Sequence, residues 1–375
     1  MSKIDDLIKQ YCPNGVEYDI IENICRISRG RVMSKEYLRD NIGEYPVYSS
    51  QTINEGMLGK IDTYDYDGEY LTWTTDGANA GSIFYRTGKF SITNVCGLLK
   101  VISDKVNTKF LHYYLGTVAK KYVNAGMGNP KLMSNVMATI KVAVPPLPVQ
   151  EEIVRILDAF SSLEAELEAE LEARKKQYEY YRNKLLTFDE NTTGGGRIRF
   201  MQLGDVGKIQ RGKRLTKNQL LADGQFPVYH GGIEPLGYYD QKNREKDTVM
   251  VINVGASAGT VGYSAVDFWS SDGCFCISHS ELYLSKYVYY VLKTKEQVLQ
   301  SKVRKAGIPT LDNSVVEKTI IPILPLDEQE RIVAILDKFD SLVNDISEGL
   351  PAELTARRQQ YEYYRNKLLT FDEAA

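Results

Sequence analysis

Apolar side chains recur every three or four residues over two long stretches, residues 150–190 and 326–375. This spacing is typical of helices that pack along a coiled-coil seam. We therefore predict two long antiparallel coiled-coil helices. The predicted packing residues are Ile156, Phe160, Leu163, Tyr178, Tyr181 and Leu185 in the first helix, and Ile335, Phe339, Leu342, Tyr361, Tyr364 and Leu368 in the second.

The second half of each stretch is duplicated. Residues 173–190 read ARKKQYEYYRNKLLTFDE, and residues 356–373 read ARRQQYEYYRNKLLTFDE, with sixteen of eighteen positions identical. An internal repeat of this kind indicates that one structural unit occurs twice. We therefore interpret the chain as two lobe-plus-helix units in tandem, an internal pseudo-twofold repeat.

The regions before the helices alternate short β-type stretches with turn residues. Residues 70–74 and 96–102, for example, are rich in β-branched and aromatic side chains and predict strands, whereas 107–123 predicts a helix. The predicted fold class is α+β, a mixed α/β architecture. Its parts are a first lobe at 1–149, a first long helix at 150–190, a second lobe at 191–325 and a second long helix at 326–375. Residues 192–196, Thr-Thr-Gly-Gly-Gly, predict a flexible linker.

Four short segments of the first lobe reappear in the second lobe in the same order. Between these segments the two lobes differ freely, so the sequence predicts one scaffold carrying two sets of loops. The matched pairs are 27–31 with 209–213, 43–48 with 224–229, 77–81 with 255–259, and 128–132 with 307–311.

The net charge of −3 hides an uneven distribution. Residues 1–149 carry 17 basic and 15 acidic side chains, and residues 191–325 carry 17 and 12; each long-helix stretch carries 6 and 11. The lobes are thus positive and the helices negative. A polyanion such as DNA would be attracted to the lobes and repelled by the helices, although the acidic side chains also suit an ordinary solvated helix face.

Basic and polar residues in and beside the repeated segments are the candidate DNA contacts. Lysine and arginine bind phosphates, and arginine, serine and amide side chains can bind base edges. The alternative is a cluster of solvated surface charges with ordinary turns. The recurrence of the basic residues at the same place in both lobes weakens this alternative. The candidates are Arg29, Arg31, Lys35, Ser49, Ser50, Gln51, Asn79 and Lys131 in the first lobe, and Arg211, Lys213, Arg214, Lys217, His230, Ser257, Lys305 and Thr310 in the second.

Catalytic and metal-binding patterns are missing from the sequence. There is no phosphate-binding P-loop, no dinucleotide-binding glycine motif, and neither the Asn-Pro-Pro-Tyr nor the Asp-Pro-Pro-Tyr sequence that an amino-methyltransferase needs. The five cysteines have no paired spacing, so we expect neither a metal site nor a disulfide framework. No apolar run reaches membrane-spanning length and no signal peptide is found, so a cytoplasmic location is expected.

Three features of the sequence together resemble the specificity subunits of type I restriction–modification enzymes. They are the duplicated Tyr-Arg-Asn-Lys-Leu-Leu-Thr-Phe, the opening Cys-Pro-Asn-Gly-Val-Glu-Tyr at 12–18, and the proline-rich helix starts at 145–153 and 325–332. The resemblance covers essentially the whole chain. It implies two target recognition domains, each reading one half of a split double-stranded DNA site, on a chain that is itself non-catalytic.

The resemblance also implies partners. Two modification (methyltransferase) subunits would dock on the helices, bind S-adenosylmethionine and methylate adenine, and restriction subunits can join them; the chain itself would bind no cofactor. Two alternatives stay open: the specificity half of a related methylase–nuclease that cuts beside its site, and a coiled-coil scaffold without DNA binding. An enzyme is the weakest reading.

Overall fold

The computed structural model describes residues 3–126, 128–188, 198–344 and 349–374. The chain folds into two compact units. Unit 1 contains Met1–Leu167 and Leu354–Ala375, and unit 2 contains Glu168–Glu353. Each unit therefore combines one lobe with parts of two long helices. The predicted linker at 192–196 lies outside the described residues.

Unit 1 is built on a six-stranded sheet of order β2-β7-β5-β6-β3-β4, with β3 parallel to β6 and the other pairs antiparallel. A separate antiparallel pair joins β1 and β8. The strands are β1 Glu17–Ile20, β2 Cys25–Arg29, β3 Ile42–Tyr48, β4 Met57–Ile61, β5 Tyr66–Thr74, β6 Ile83–Ile92, β7 Cys96–Val101 and β8 Lys141–Val144.

The helices of unit 1 cover one face of this sheet. Trp73 of β5 and Phe110 of α4 are fully buried in the same core. Asn107 caps α4, because its side-chain oxygen accepts hydrogen bonds from the backbone amides of Lys109 (2.9 Å) and Phe110 (3.1 Å). The helices are α1 Lys3–Tyr11, α2 Ile21–Ile24, α3 Lys35–Asp40, α4 Thr108–Val118, α5 Ser134–Ala138 and α6 Leu147–Leu186, with 3₁₀ turns at Ile53–Gly56 and Ala119–Tyr122.

Unit 2 has the same kinds of layers with shorter strands. Its sheets have the orders β10-β16-β13-β14, β12-β11-β15 and β17-β9, and β11 is parallel to β15 as β3 is to β6. The strands are β9 Arg199–Gln202, β10 Ile209–Arg211, β11 Phe226–Tyr229, β12 Gly237–Tyr239, β13 Thr248–Ile252, β14 Val261–Ser264, β15 Trp269–Ser270, β16 Cys274–Ile277 and β17 Ile320–Ile323.

Tyr287 and Tyr290 of helix α8 are fully buried in the core of unit 2. The helices of this unit are α7 Leu203–Val206, α8 Ser285–Thr294, α9 Glu296–Ser301, α10 Asn313–Glu317 and α11 Leu326–Asn344, with a 3₁₀ turn at Lys217–Gln219. Helix α12, Gly349–Leu368, begins in unit 2 and belongs to unit 1 from Leu354 onward. The mixed α/β class predicted from the sequence is confirmed.

The first long helix, α6, is continuous over 40 residues, about 60 Å at 1.5 Å per residue. The second stretch consists of α11 and α12, and residues 345–348 between them lie outside the described range. Gly349, the first residue of α12, has φ +75°, and a Cβ there would lie 2.6 Å from the carbonyl oxygen of Leu342. Pro351 follows in the first turn, where a missing backbone N–H costs no helix hydrogen bond.

In unit 1 the long helices pack antiparallel. The Phe160 ring lies 5.7 Å from Tyr364 and 6.2 Å from Tyr361, and four residues further along α6 Glu164 binds Arg358 at 2.6 Å. The numbering rises along α6 while it falls along α12, which fixes the direction. Ile156 and Leu368 pack into the core of the unit, and Leu163 is half-buried.

In unit 2 the Tyr181 ring stacks on Phe339 at 5.9 Å, while Tyr178 is 6 % exposed. Leu185 packs against the core and Ile335 is half-buried. Leu342 departs from the predicted seam, because it is 39 % exposed while its neighbour Val343 is buried at 1 %. The physical reason is that α11 packs a stripe of Ile332, Leu336 and Val343 against the core of the lobe. That core, rather than an ideal heptad, sets the buried face of the helix.

A buried glutamine anchors the start of the long helix in each unit. Gln150 is fully buried; its amide donates to the carbonyl oxygens of Pro145 (2.6 Å) and Lys105 (2.7 Å), and its oxygen accepts from the backbone amide of Asn107 (2.8 Å). In unit 2, Gln329 makes the same three bonds at 2.8–3.0 Å, to Leu324, Leu282 and Leu284.

About two helical turns further on, a carboxylate repeats this anchoring. Asp158 accepts from Lys109 (2.6 Å) and from the Tyr113 hydroxyl (2.7 Å) of α4. In unit 2, Asp337 lies 3.0 Å from Lys286 and accepts from the Tyr290 hydroxyl of α8 at 2.5 Å. Each long helix is therefore fixed to its lobe at two points, about two helical turns apart.

We expect Gln150→Leu to lower the free energy of unfolding by at least about 2 kcal/mol. The leucine fits the volume but leaves one buried N–H and two carbonyl oxygens without partners, and each such group costs about 1–3 kcal/mol. Calorimetric melting provides the measurement, and Gln10→Leu, at an exposed position of α1, provides the matched control. Equal melting curves for the two variants would contradict the anchoring role.

Candidate nucleic-acid interface

The repeated segments of the first lobe meet at one edge of unit 1. The backbone amide of Gly30 bonds the carbonyl of Cys96 at 3.4 Å, and that of Gly77 bonds Pro130 at 3.0 Å. The Ser50 hydroxyl donates to the carbonyl oxygen of Val95. The loops at 29–35, 49–57, 75–81 and 93–95, together with residues 124–126 and 128–132, therefore lie side by side and are called the loop edge of unit 1.

The matching loops of unit 2 are held by the equivalent backbone bonds. Gly212 bonds Cys274 at 3.1 Å, Gly255 bonds Pro309 at 2.9 Å, and Asn253 bonds Gly273 at 3.0 Å. Gly212 also allows a close approach, since a Cβ there would lie 2.1 Å from the carbonyl oxygen of Ser271. The loops at 211–217, 229–232, 253–259, 271–273 and 304–311 are the loop edge of unit 2.

One arginine occupies the same place on both loop edges. The Nε of Arg29 donates to the carbonyl oxygen of Asn94 at 3.2 Å, and the Nε of Arg211 donates to that of Asp272 at 2.9 Å. Both side chains are otherwise exposed. A guanidinium held in this way is oriented by the loop yet keeps its terminal N–H groups available for a phosphate or a base edge.

The next basic position differs between the units. Arg31 forms an ion pair with Asp65 at 3.1 Å and also donates to the Tyr37 hydroxyl. These hydrogen bonds, with Tyr37 contributing most, raise the pKa of Arg31 above its ordinary value. Lys213, its counterpart, is exposed, and its backbone carbonyl accepts from the Trp269 indole at 2.9 Å. The positive charge on the loop edge is thus partly compensated in unit 1.

The polar side chains after β3 hold the loops together. Ser50 accepts from the Thr75 amide at 3.2 Å, Ser49 accepts from the Thr93 hydroxyl at 2.9 Å, and the Gln51 amide donates to Met57 at 2.6 Å. These groups have a structural task within the protein, so base contact by them stays a prediction.

The remaining predicted contacts lie on the same loop edges or beside them. Asn79 donates to the Thr52 hydroxyl at 3.2 Å, and the backbone of Lys131 pairs with Asn124. The Nδ1 of His230 lies 3.4 Å from an oxygen of Asp272. Lys35, Arg214, Lys217 and Lys305 are exposed, and Ser257 and Thr310 are half-buried within the loops.

Arg86 is a functional candidate that sequence reasoning missed. It is only 4 % exposed, lies 3.6 Å from the centre of the Tyr48 ring and donates to the Glu55 carbonyl. Desolvation lowers its pKa from the ordinary arginine value. Asn54 and Glu55, at φ 49° and 53°, adopt left-handed conformations there, which are uncommon without glycine. Arg86 therefore positions the 53–56 turn; a single arginine in a strand gave no sequence signal for this.

Asn243 and Arg244 are the corresponding omission in unit 2. The Asn243 side chain bonds both the amide (2.7 Å) and the carbonyl (2.9 Å) of Ser270, and Arg244 donates to the Arg211 carbonyl at 3.3 Å. These contacts tie the 242–246 segment to the loop edge. No repeat links this segment to unit 1, so pattern comparison between the lobes could not have found it.

The described residues contain no group of three or more histidine, cysteine, aspartate or glutamate side chains that could hold a metal ion. All five cysteines are buried and unpaired, and burial raises the pKa of Cys25, Cys96 and Cys274 to about 12. Such thiols are poor nucleophiles and poor ligands. Within the same described range, no helix is both long enough and apolar enough to cross a membrane.

The family model described as "Type I restriction modification DNA specificity domain" matches this chain twice, at residues 13–173 and 197–356. The two matches cover both lobes and the first part of each long-helix stretch. The chain therefore belongs to the type I restriction–modification specificity subunits, and the resemblance found in its sequence is confirmed.

Two relatives match this chain over nearly its whole length, and a third matches less than half of it. A putative type I specificity subunit of Mycoplasma pneumoniae is 32% identical over 361 residues, which cover 94% of this chain and 97% of the relative. A putative type I restriction enzyme specificity subunit of Haemophilus influenzae is 34% identical over 384 residues, 94% of each protein. The MpnII specificity subunit of M. pneumoniae is 49% identical over 172 residues, 45% of this chain and 52% of that one.

Solved structures show the same fold at low sequence identity. The type I S subunit of M. genitalium superposes with a TM-score of 0.63 at 18% identity, covering 95% of this chain and 96% of the other. A chain from work on complex assembly and conformational transition of a type I restriction–modification system gives 0.62 at 14% identity, covering 95% and 98%. Two recognition domains with intervening helices are thus the fold of this chain.

Proposed function

We propose that the chain reads a bipartite double-stranded DNA sequence, one half with each loop edge, and carries no catalysis of its own. The observation behind this proposal is that matching backbone hydrogen bonds build the same loop frame in the two units, whereas the side chains on that frame differ. A frame used twice with different surface residues suits two readers of different sequences. The positive balance of both lobes favours a polyanion as the target.

The long helices supply a surface for partners. Tyr180 and Tyr363 occupy the same position of the duplicated segment and are 60 % and 62 % exposed, each packed edge-on against the next tyrosine at 5.3 Å. Two nearly identical surfaces suit two copies of one partner. In this family the partner is the modification subunit, which would supply S-adenosylmethionine and the adenine-methylating chemistry; restriction subunits would join the same assembly.

Methylome sequencing tests this function. Cells that express the chain together with its modification partner are compared with cells that lack only the chain. We expect methylated adenines at one split sequence, present only with the chain. Methylation that does not depend on the chain would favour the scaffold without DNA binding, and a partner that also cuts beside the methylated site would favour the methylase–nuclease alternative.

The length of α6 should set the distance between the two half-sites. Residues 163–170 repeat Leu-Glu-Ala-Glu twice, and one further unit inserted after Glu170 adds about 6 Å. Four residues overshoot one helical turn by only ~40°, so the packing face is nearly kept. With 3.4 Å per base pair, we expect the gap to grow by roughly one to two base pairs, the lower value if some length is lost to tilt.

Mapping of methylated sites provides the measurement for this insertion. The bases of each half-site should stay the same, because no lobe residue changes. Ala169→Ser, in the same repeat but without a change of length, is the matched control and should leave the gap as it is. An unchanged gap in the insertion variant would mean that α6 is a tether and not a ruler.

A further inference from the structure

Each loop edge carries one hairpin whose two arms are joined by backbone hydrogen bonds. In unit 1, Asn124 and Lys131 exchange two backbone hydrogen bonds of 2.9 and 3.0 Å; in unit 2, Arg304 and Thr310 do the same at 2.9 and 3.0 Å. Reciprocal bonds of this kind close a narrow antiparallel pair. Although the two hairpins differ by one residue in length, both return through a Gly-x-Pro segment.

The hairpins are also tied to the centre of their loop edges. The amide of Gly77 donates to the carbonyl oxygen of Pro130 at 3.0 Å, and the amide of Gly255 donates to that of Pro309 at 2.9 Å. The leucines that follow the prolines by two residues, Leu132 and Leu311, are buried at 0% and 1% and anchor the returning strand in the core. The residue between glycine and proline therefore has a defined position in both units.

The residue between the glycine and the proline differs between the two hairpins. It is Asn129 in unit 1 and Ile308 in unit 2, and both side chains are exposed, Ile308 at 72 %. Single exposed apolar side chains are common on protein surfaces and prove nothing alone. This isoleucine, however, lies at the fixed tip of a loop whose counterpart presents an amide at the same place.

The surroundings of both tips are positively charged. Residues 118–133 contain the three lysines Lys120, Lys121 and Lys131 and no acidic residue. Residues 298–311 contain Lys302, Arg304 and Lys305, of which Arg304 forms an ion pair with Asp312 at 2.9 Å. Lysines beside an uncharged tip, in both units, suit a loop whose flanks bind phosphates while the tip enters a groove.

We propose that Asn129 and Ile308 are specificity-determining residues, each of which contacts one base pair in the half-site of its own unit; this rests on the DNA reading proposed above. The asparagine amide can donate to N7 of adenine and accept from its N6 amino group, whereas isoleucine offers only apolar contact to a thymine methyl group. The two units would therefore demand different bases at equivalent positions of their half-sites.

The reciprocal substitutions Asn129→Ile and Ile308→Asn test this assignment. Each variant is co-expressed with the modification partner, and the methylated sites are mapped. We expect the base preference at one position to change by at least about fivefold, since a single good base contact gives this discrimination or more. The change should appear in the half-site of the altered unit and leave the other half-site unchanged.

The matched control is Ile320→Asn, which makes the same chemical change at a 51 % exposed position of β17, outside the loop edge. Its methylated sites should equal those of the starting protein.

Melting curves establish that the tip variants are folded. Ile308→Val, which keeps a methyl group at the tip, should keep the thymine preference. Folded tip variants that methylate the original sequence with unchanged preference would overturn the proposal. If the starting protein directs no methylation to a particular DNA sequence, the proposed function is overturned instead.

Discussion

The buried glutamine at the start of each long helix is the contact on which the rest of each unit depends. Gln150 and Gln329 satisfy the carbonyl groups that precede their helices and the amide at the start of the helix of the lobe. A fully buried amide has lost all its hydration, so breaking any of these bonds would leave a polar group without a partner. The bonds therefore fix the direction in which the long helix leaves the lobe. Asp158 and Asp337 repeat the constraint about two turns later and also fix the rotation of the helix.

This anchoring separates two tasks within one fold. The glycine contacts, the buried leucines and the backbone bonds of the loop edges hold the chain in the same path in both units. Side chains at positions such as Asn129 and Ile308 take no part in that framework. They can differ between the units without loss of stability, which is the property that a reader of variable DNA sequences requires.

The sequence predicted those features that arise from local pattern. The helical spacing, the duplicated segment and the four matched loops identified the repeat and the mixed α/β class, and the structure adds that these loops meet at one edge of each unit. Contacts that arise from distant parts of the chain escaped it. Leu342 is exposed because packing against the core of the lobe, and not the heptad pattern, determines which face of α11 is buried. The Ser50 hydroxyl donates to the carbonyl oxygen of Val95, which lies 45 residues away. Arg86 holds a turn that lies 31 residues upstream. None of these partners is adjacent in sequence, so neither spacing nor composition could reveal it.

Replacement of one whole lobe tests most directly whether the two units read DNA independently on a common frame. Residues 16–146 would be exchanged for the corresponding lobe of another member of the family, with Gln150, Asp158 and the long helices left intact, and the methylated sites would be mapped. Independent reading predicts a new sequence in one half-site, with the other half-site and the gap between them unchanged. A change in both half-sites would contradict the account.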